Sequence, residues 1–409
     1  MEHLADAVLP LIRTRSDLHR WRDANSHGAQ MHDAVDILEE AADAEDPAVV
    51  LAVTQKAIAS AVKVIMRADD SSGVIGDACR RLLALHPQVA ATARPPVAKL
   101  VDWMVKFQFD NECDFFEIDP VGYAPALGDA GVAAYRLKLD GIRAGLGEPS
   151  PIGERWSSPD ASTWFRLDEN ARRLAVLDRD VEAVIRTHAR DRKVARWIHD
   201  TAKALEEIGE VDLAIDWARQ ATEFDRGHQS LAASEYWCAL LEAHRPDGVL
   251  AARLSVFRRW PSSTTAARLH RAAGAAWPSR RDEVMQRLSD SPRDAVLFAL
   301  LHLHDVRLAW DLAHSLALDD GDAWSRVVDE YESVDPLAVL PVLRRLAEAD
   351  LEVAGAQHYR DAGRRLARMR RLAAGTAGAA EVDALVAELR VANRRRPRLQ
   401  LEFDRAGLP

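Results

Sequence analysis

Cysteine is nearly absent: Cys79, Cys113 and Cys238 are the three in 409 residues. They lie far apart and are odd in number, so no CxxC, no C-x-C and no Cys–His pair at zinc spacing exists. Each reads as a reduced thiol packed like a small apolar residue, which suits a cytoplasmic protein. The glycine-based signatures are missing too. Without GxxxxGK[ST] or GxGxxG there is no phosphate-binding loop or dinucleotide fingerprint, and without HExxH or GxSxG no zinc-protease helix or nucleophile elbow. These gaps set the expectation of a non-enzyme with no cofactor and no bound metal. No apolar run approaches the roughly 18 residues that span a bilayer. The start, MEHLADAVLPLIRTRSD, has early acids and no cationic lead, so it is not read as a secretory signal, and no membrane partner is expected.

Ile, Thr and Tyr are also sparse; tyrosine, for instance, occurs five times. Ala, Leu, Arg and Glu dominate instead, which predicts an all-α chain. Hydrophobic residues make up 48% and charged residues 29%, enough to build a buried core.

What is present is helical repetition. In ARWIHDTAKALEEIGEVDLAIDWARQATEF, Ala202, Leu205 and Ile208 precede a break at Gly209, and Leu213, Ala214, Trp217 and Ala218 follow it, giving helix, turn, helix. The pattern returns 35 residues on, with His244 at the Gly209 position, Asp247 at Asp212 and Phe257 at Thr222. A third echo, HDVRLAWDLAHSL, places Leu308 and Ala309 where Leu213 and Ala214 stand. A period near this length predicts a tetratricopeptide-like α-solenoid, in which each hairpin buries its face against the next. The expected organisation is an N-terminal helical domain over residues 1–147, a Gly- and Pro-rich linker over 148–160, and helical repeats over 161–409. Asp46 with Pro47 opens one helix. Asp77 is a candidate cap for another, and His27 with Gly28 is a candidate interruption. Hairpins are expected at 262–288, 292–318 and 324–349, then helices at 355–373 and 380–394 and a short basic tail. The repeat tryptophans Trp197, Trp217, Trp237, Trp260, Trp277 and Trp310 are expected to fill gaps between hairpins.

Two stretches carry concentrated charge. FDNECDFFEIDP gathers Asp110, Glu112, Asp114, Glu117 and Asp119, but Phe115 and Phe116 occupy its middle and no EF-hand glycine is present, so a solvated loop is the expectation. Against a net charge of −10, residues 360–405 hold twelve arginines and six carboxylates, a local balance of +6. Arg360, Arg364, Arg368 and Arg371 follow helical spacing as one stripe, opposite an apolar face of Ala362, Leu366, Met369 and Ala373. Arg394, Arg395, Arg396 and Arg398 extend the basic surface. The eight arginines are the candidate contact for an anionic partner; an exposed face paired with the chain's own acids is the alternative.

Four stretches, SSGVIGDACRRLLALH, FDNECDFFEIDPVGYAPALGDAGVAAYR, ALEEIGEVDLAIDWARQATEF and the segment from HYRDAGRRLARMRRL through RRRPRLQLEFD, resemble the helical region of bacterial SWIM zinc finger proteins and their finger-less relatives. The resemblance runs from about residue 20 to the end. In that family a C-x-C…C-x-H finger precedes the helices; with no C-x-C here, no ligand residue carries over. It implies a helical-repeat protein. The resulting expectation is a non-catalytic scaffold holding a protein or peptide in its groove, with nucleic acid docking through the basic C-terminus as the alternative.

Overall fold

The computed structural model describes residues 2–110, 116–146 and 160–409. Among these the chain is helical throughout, with no strand and one isolated bridge between Leu18 and Ala68. It divides into two compact units, Met1–Ala221 and Thr222–Pro409. The first contains α1 (Glu2–Ile12), α2 (Trp21–Ala44), α3 (Pro47–Ile65), α4 (Val74–Ala93), α5 (Val97–Phe109), α6 (Pro120–Gly145), α7 (Ala161–Leu177), α8 (Val181–Ala189) and α9 (Ala195–Glu207). The division falls near the end of α10 (Val211–Glu223). The second contains α11 (His228–His244), α12 (Val249–Arg259), α13 (Ser263–Ala273), α14 (Arg281–Leu288), α15 (Pro292–Leu301), α16 (Val306–Ser315), α17 (Gly321–Tyr331), α18 (Leu340–Glu352), α19 (Ala356–Ala373), α20 (Ala379–Ala392) and α21 (Pro397–Arg405).

Local signals explain most of these elements. Asp46 accepts a hydrogen bond from the Ala48 amide at 2.9 Å, with Pro47 at the first helical position. Gly209 takes φ +87° between α9 and α10, a conformation open to glycine without Cβ strain. Other expectations are corrected. Asp77 does not cap α4; it lies inside the first turn and pairs with Arg80. The carboxylate of Asp70 instead accepts from the amides of Ile75 at 2.9 Å and Gly76 at 2.8 Å, because the turn folds it back over the helix start. His27 and Gly28 do not interrupt α2. The His27 ring reaches the Ile12 carbonyl at 2.9 Å, and a Cβ on Gly28 would lie 2.6 Å from Val74 Cγ1, so glycine lets α4 approach α2.

The short basic tail is likewise α21, an amphipathic helix that buries Leu399, Glu402 and Phe403 and packs on α19. The expectation of no membrane-length apolar stretch is also corrected: α3 is long and apolar enough to cross a membrane, with mean hydropathy 1.7. Its Ala, Val and Ile average out Gln55, Lys56 and Lys63, and half of the stretch is buried, where it packs against α1, α2 and α4.

The core of the first unit runs through Val8, Met31, Leu38, Val50, Ile75, Leu82, Leu100, Tyr123 and Tyr135. In the second, one cluster surrounds Phe257 and Phe298, and another joins Trp324, Leu343, Leu366 and Phe403. Among the described residues, every substantial helix–helix contact within a unit joins helices at most two apart in chain order. The expected linker at 148–160 lies, apart from Asp160, outside the described residues. On either side of it α6 and α7 pack together, and a closed ring of hydrogen bonds joins Gln108, Tyr135 and Asn170 from α5, α6 and α7.

Candidate functional site

The eight arginines singled out in the sequence are mostly engaged within the chain. On α19 the Ala362, Leu366, Met369 and Ala373 face is buried as expected. Arg360 donates to Gln357 at 2.8 Å and lies 3.8 Å from Glu402; Arg364 pairs with Asp361. Arg368 pairs with Asp329 and Glu332, and Arg371 donates to Glu332 at 2.9 Å. Burial works against ionisation of Glu332, yet hydrogen bonds from these two arginines outweigh it and hold the carboxyl below its usual value. Arg396 donates to the Leu351 carbonyl at 2.8 Å, and Arg398 lies 3.0 Å from Glu402. Arg394 and Arg395 are exposed, with no side-chain partner among the described residues. The structure thus brings Arg360 and Arg398 together on one carboxylate and Arg368 and Arg371 on another. Arg364 and Arg368 also line a narrow cleft of about 200 Å³ with Arg365, Asp329 and Asp361.

Of the acidic stretch, Glu112, Asp114 and Phe115 lie outside the described residues. Phe116 is buried in the core, and Asp119 caps α6 through the Val121 amide at 3.0 Å. Among the described residues no group of three or more His, Cys, Asp or Glu is placed to hold a metal ion.

A second cluster, unremarked in the sequence, lies in the first unit where α7, α8 and α9 meet. Asp180 caps α8 by accepting from the Ala183 amide at 3.0 Å, and the helix ends at a turn in which Arg190 and Arg192 both take positive φ, +48° and +56°. Their guanidinium groups lie over tryptophan rings: Arg190 is 5.1 Å from the Trp197 centroid and Arg192 is 4.7 Å from that of Trp217. Trp217 is buried as the sequence led one to expect.

Beside this elbow is a cleft of about 560 Å³ whose lining mixes cations, Arg172, Arg173, Arg190 and Lys203 among them, with the carboxylates of Glu117, Glu169, Asp200 and Glu207. Arg173 donates to Asp119 at 2.8 Å and to Glu207 at 2.6 Å, and the Glu207 bond leads in holding its charge firmly. Arg172 pairs with Glu169. Burial, then the neighbouring Glu169, raises Glu117 above the usual carboxylate range; burial lowers His188 despite its contact to the Val184 carbonyl. The signal was present in residues 186–203: Arg186, Arg190, Arg192, Lys193, Arg196 and Lys203 against Asp191 and Asp200, a balance of +4 in a chain of net charge −10. All six cations are exposed.

Among known proteins, a family model described as a family of unknown function, DUF6880, matches residues 8–397. No curated protein and no solved structure matches the chain.

Proposed function

We propose, from the premise that the chain belongs to the DUF6880 family of unknown function, that it is a non-catalytic, cytoplasmic helical-repeat scaffold that holds a protein or peptide partner. In this reading the helices of each unit form a tetratricopeptide-like stack of hairpins, and the chain is a finger-less relative of the helical region of SWIM zinc finger proteins.

One observation carries the reading: within each unit, substantial contacts stop at the second helix along the chain. That nearest-neighbour pattern is the hallmark of repeat stacks, whose grooves are extended binding surfaces. The engagement of Arg360, Arg368, Arg371 and Arg398 by the chain's own carboxylates favours this over nucleic acid docking at the C-terminus.

The test is selection of a displayed random-peptide library on the full chain, followed by calorimetry of the selected sequences. The expected result is saturable binding with the peptide recovered unchanged. A selection that returns no sequence above background overturns the proposal, and turnover of bound peptide overturns its non-catalytic part.

A further inference from the structure

We propose that the elbow between α8 and α9 is a receptor for a carboxylate-rich segment of a partner protein, gripped by Arg192 with Lys193 and Arg186. The inference rests on the scaffold reading and names the chemistry of its partner.

Three independent features point to it. The first is charge: residues 186–203 hold a local balance of +4 on a chain of net charge −10, which complements an acidic segment. The second is preorganisation. The Arg192 guanidinium sits 4.7 Å from the Trp217 centroid, and a guanidinium over an indole keeps its edge N–H groups available to fork a carboxylate. Stacking fixes Arg192 before the ligand arrives, so less side-chain freedom is lost on binding. The third is backbone. Arg190 and Arg192 hold positive φ, a region that disfavours residues carrying a Cβ, and such strain collects where a binding geometry is being held. Arg186, on the last turn of α8, adds a charge with no side-chain partner among the described residues, and Lys193 shares Asp191 at 2.9 Å.

The same features disfavour a nucleic acid. The indole faces beneath Arg190 and Arg192 are covered by guanidinium groups, so on that side they offer bases no stacking platform. The cations also occupy one end of a short hairpin. Its other end carries Asp180 and Glu182 at the start of α8. Since α8 is roughly 13 Å long at ~1.5 Å per residue, a polyanion with a phosphate every few ångströms would run from the cations onto like charge. A short acidic segment fits the patch and stops there.

The experiment measures fluorescence anisotropy of the full-length protein with three labelled probes of equal length: a glutamate-rich peptide, a glutamine-rich peptide and a single-stranded oligonucleotide. The glutamate peptide is expected to bind best and to weaken as salt rises. Arg192→Glu with Lys193→Glu is expected to lower its affinity about tenfold or more, and Arg192→Lys several-fold, because lysine keeps the charge but loses the fork. Arg394→Glu with Arg395→Glu is the matched control and leaves binding unchanged; circular dichroism and melting verify that each variant is folded. Affinity for the glutamate peptide that does not respond to the elbow variants, or an oligonucleotide that binds more tightly, overturns the inference. Selected library peptides that bind while acidic ones do not overturn the inference and leave the scaffold standing, whereas absence of any peptide binding removes both.

Discussion

The Glu402 carboxylate, on a residue 3% exposed, lies 3.0 Å from the Arg398 guanidinium. Arg405 approaches the same oxygen at 3.0 Å and Arg360 the other at 3.8 Å, so one buried charge on α21 gathers two cations of its own helix and one of α19. Removing it leaves arginines that still reach water, which limits the penalty. Glu402→Gln is expected to destabilise the chain by about 1–3 kcal/mol, and Arg398→Gln by less than about 1 kcal/mol, in urea unfolding. Equal losses for the two would refute the central role given to Glu402.

The arginine stripe separates into structural and solvated members. Arg368→Glu puts a third acid beside Asp329 and Glu332 and is expected to cost about 2–3 kcal/mol, whereas Arg394→Glu and Arg395→Glu are expected to stay within about 0.5 kcal/mol of the parent. Thermal melts that rank the variants the other way would contradict the pairing.

His86 is fully buried, stacked on Trp103 at 4.0 Å with its Nδ1 2.7 Å from the Tyr123 hydroxyl, and burial pushes its imidazole down from 6.5 to about 3. Below pH 6.5 the unfolded chain gains a proton that the folded chain refuses until about pH 3, so stability falls with falling pH through that window. Going from about pH 7.5 to about pH 5 is expected to remove about 2 kcal/mol through this residue. His86→Phe keeps the stack and abolishes that share of the pH dependence, even if its stability at neutral pH drops for want of a partner to Tyr123. An unchanged slope of unfolding free energy with pH would refute the assignment.

Alanine outranks glycine as a helix former, yet Gly28→Ala is expected to destabilise by about 1–3 kcal/mol because its Cβ would press on Val74. Combining it with Val74→Ala is expected to recover part of the loss relative to the sum of the single changes. Strict additivity in denaturant melts would remove steric contact as the cause.

Tyr135 closes the ring with Gln108 and Asn170, donating to Asn170 and accepting from Gln108, each at 2.6 Å. Tyr135→Phe leaves both amides short of a partner inside the core and is expected to cost about 1–3 kcal/mol. Since the ring ties α5, α6 and α7, proteolysis between residues 147 and 160 is expected to leave the two pieces associated. Separation of the pieces on a sizing column would count against that tie.

The candidate site was far less legible than the helices. The arginines of α19 announced themselves by spacing, but Asp329 and Glu332, the partners of Arg368 and Arg371, stand on α17 and at its end, and no spacing rule connects residues that far apart. The basic elbow could have been found as a charge cluster in residues 186–203. That Arg190 and Arg192 sit over Trp197 and Trp217 could not, because positive φ at an arginine has no local sequence signal and Trp217 stands on α10, beyond any local spacing from Arg192.

The sequence by itself determined that the chain is helical and where most helices begin and break, since apolar periodicity, Asp46 with Pro47, and Gly209 act within a turn or two of the backbone. Only the tertiary structure decided that Gly28 serves a helix crossing, that residues 397–405 dock on α19, and that Arg368 and Arg371 take Asp329 and Glu332. Those outcomes depend on groups brought together from distant parts of the chain, and their energies exist only once the helices have packed.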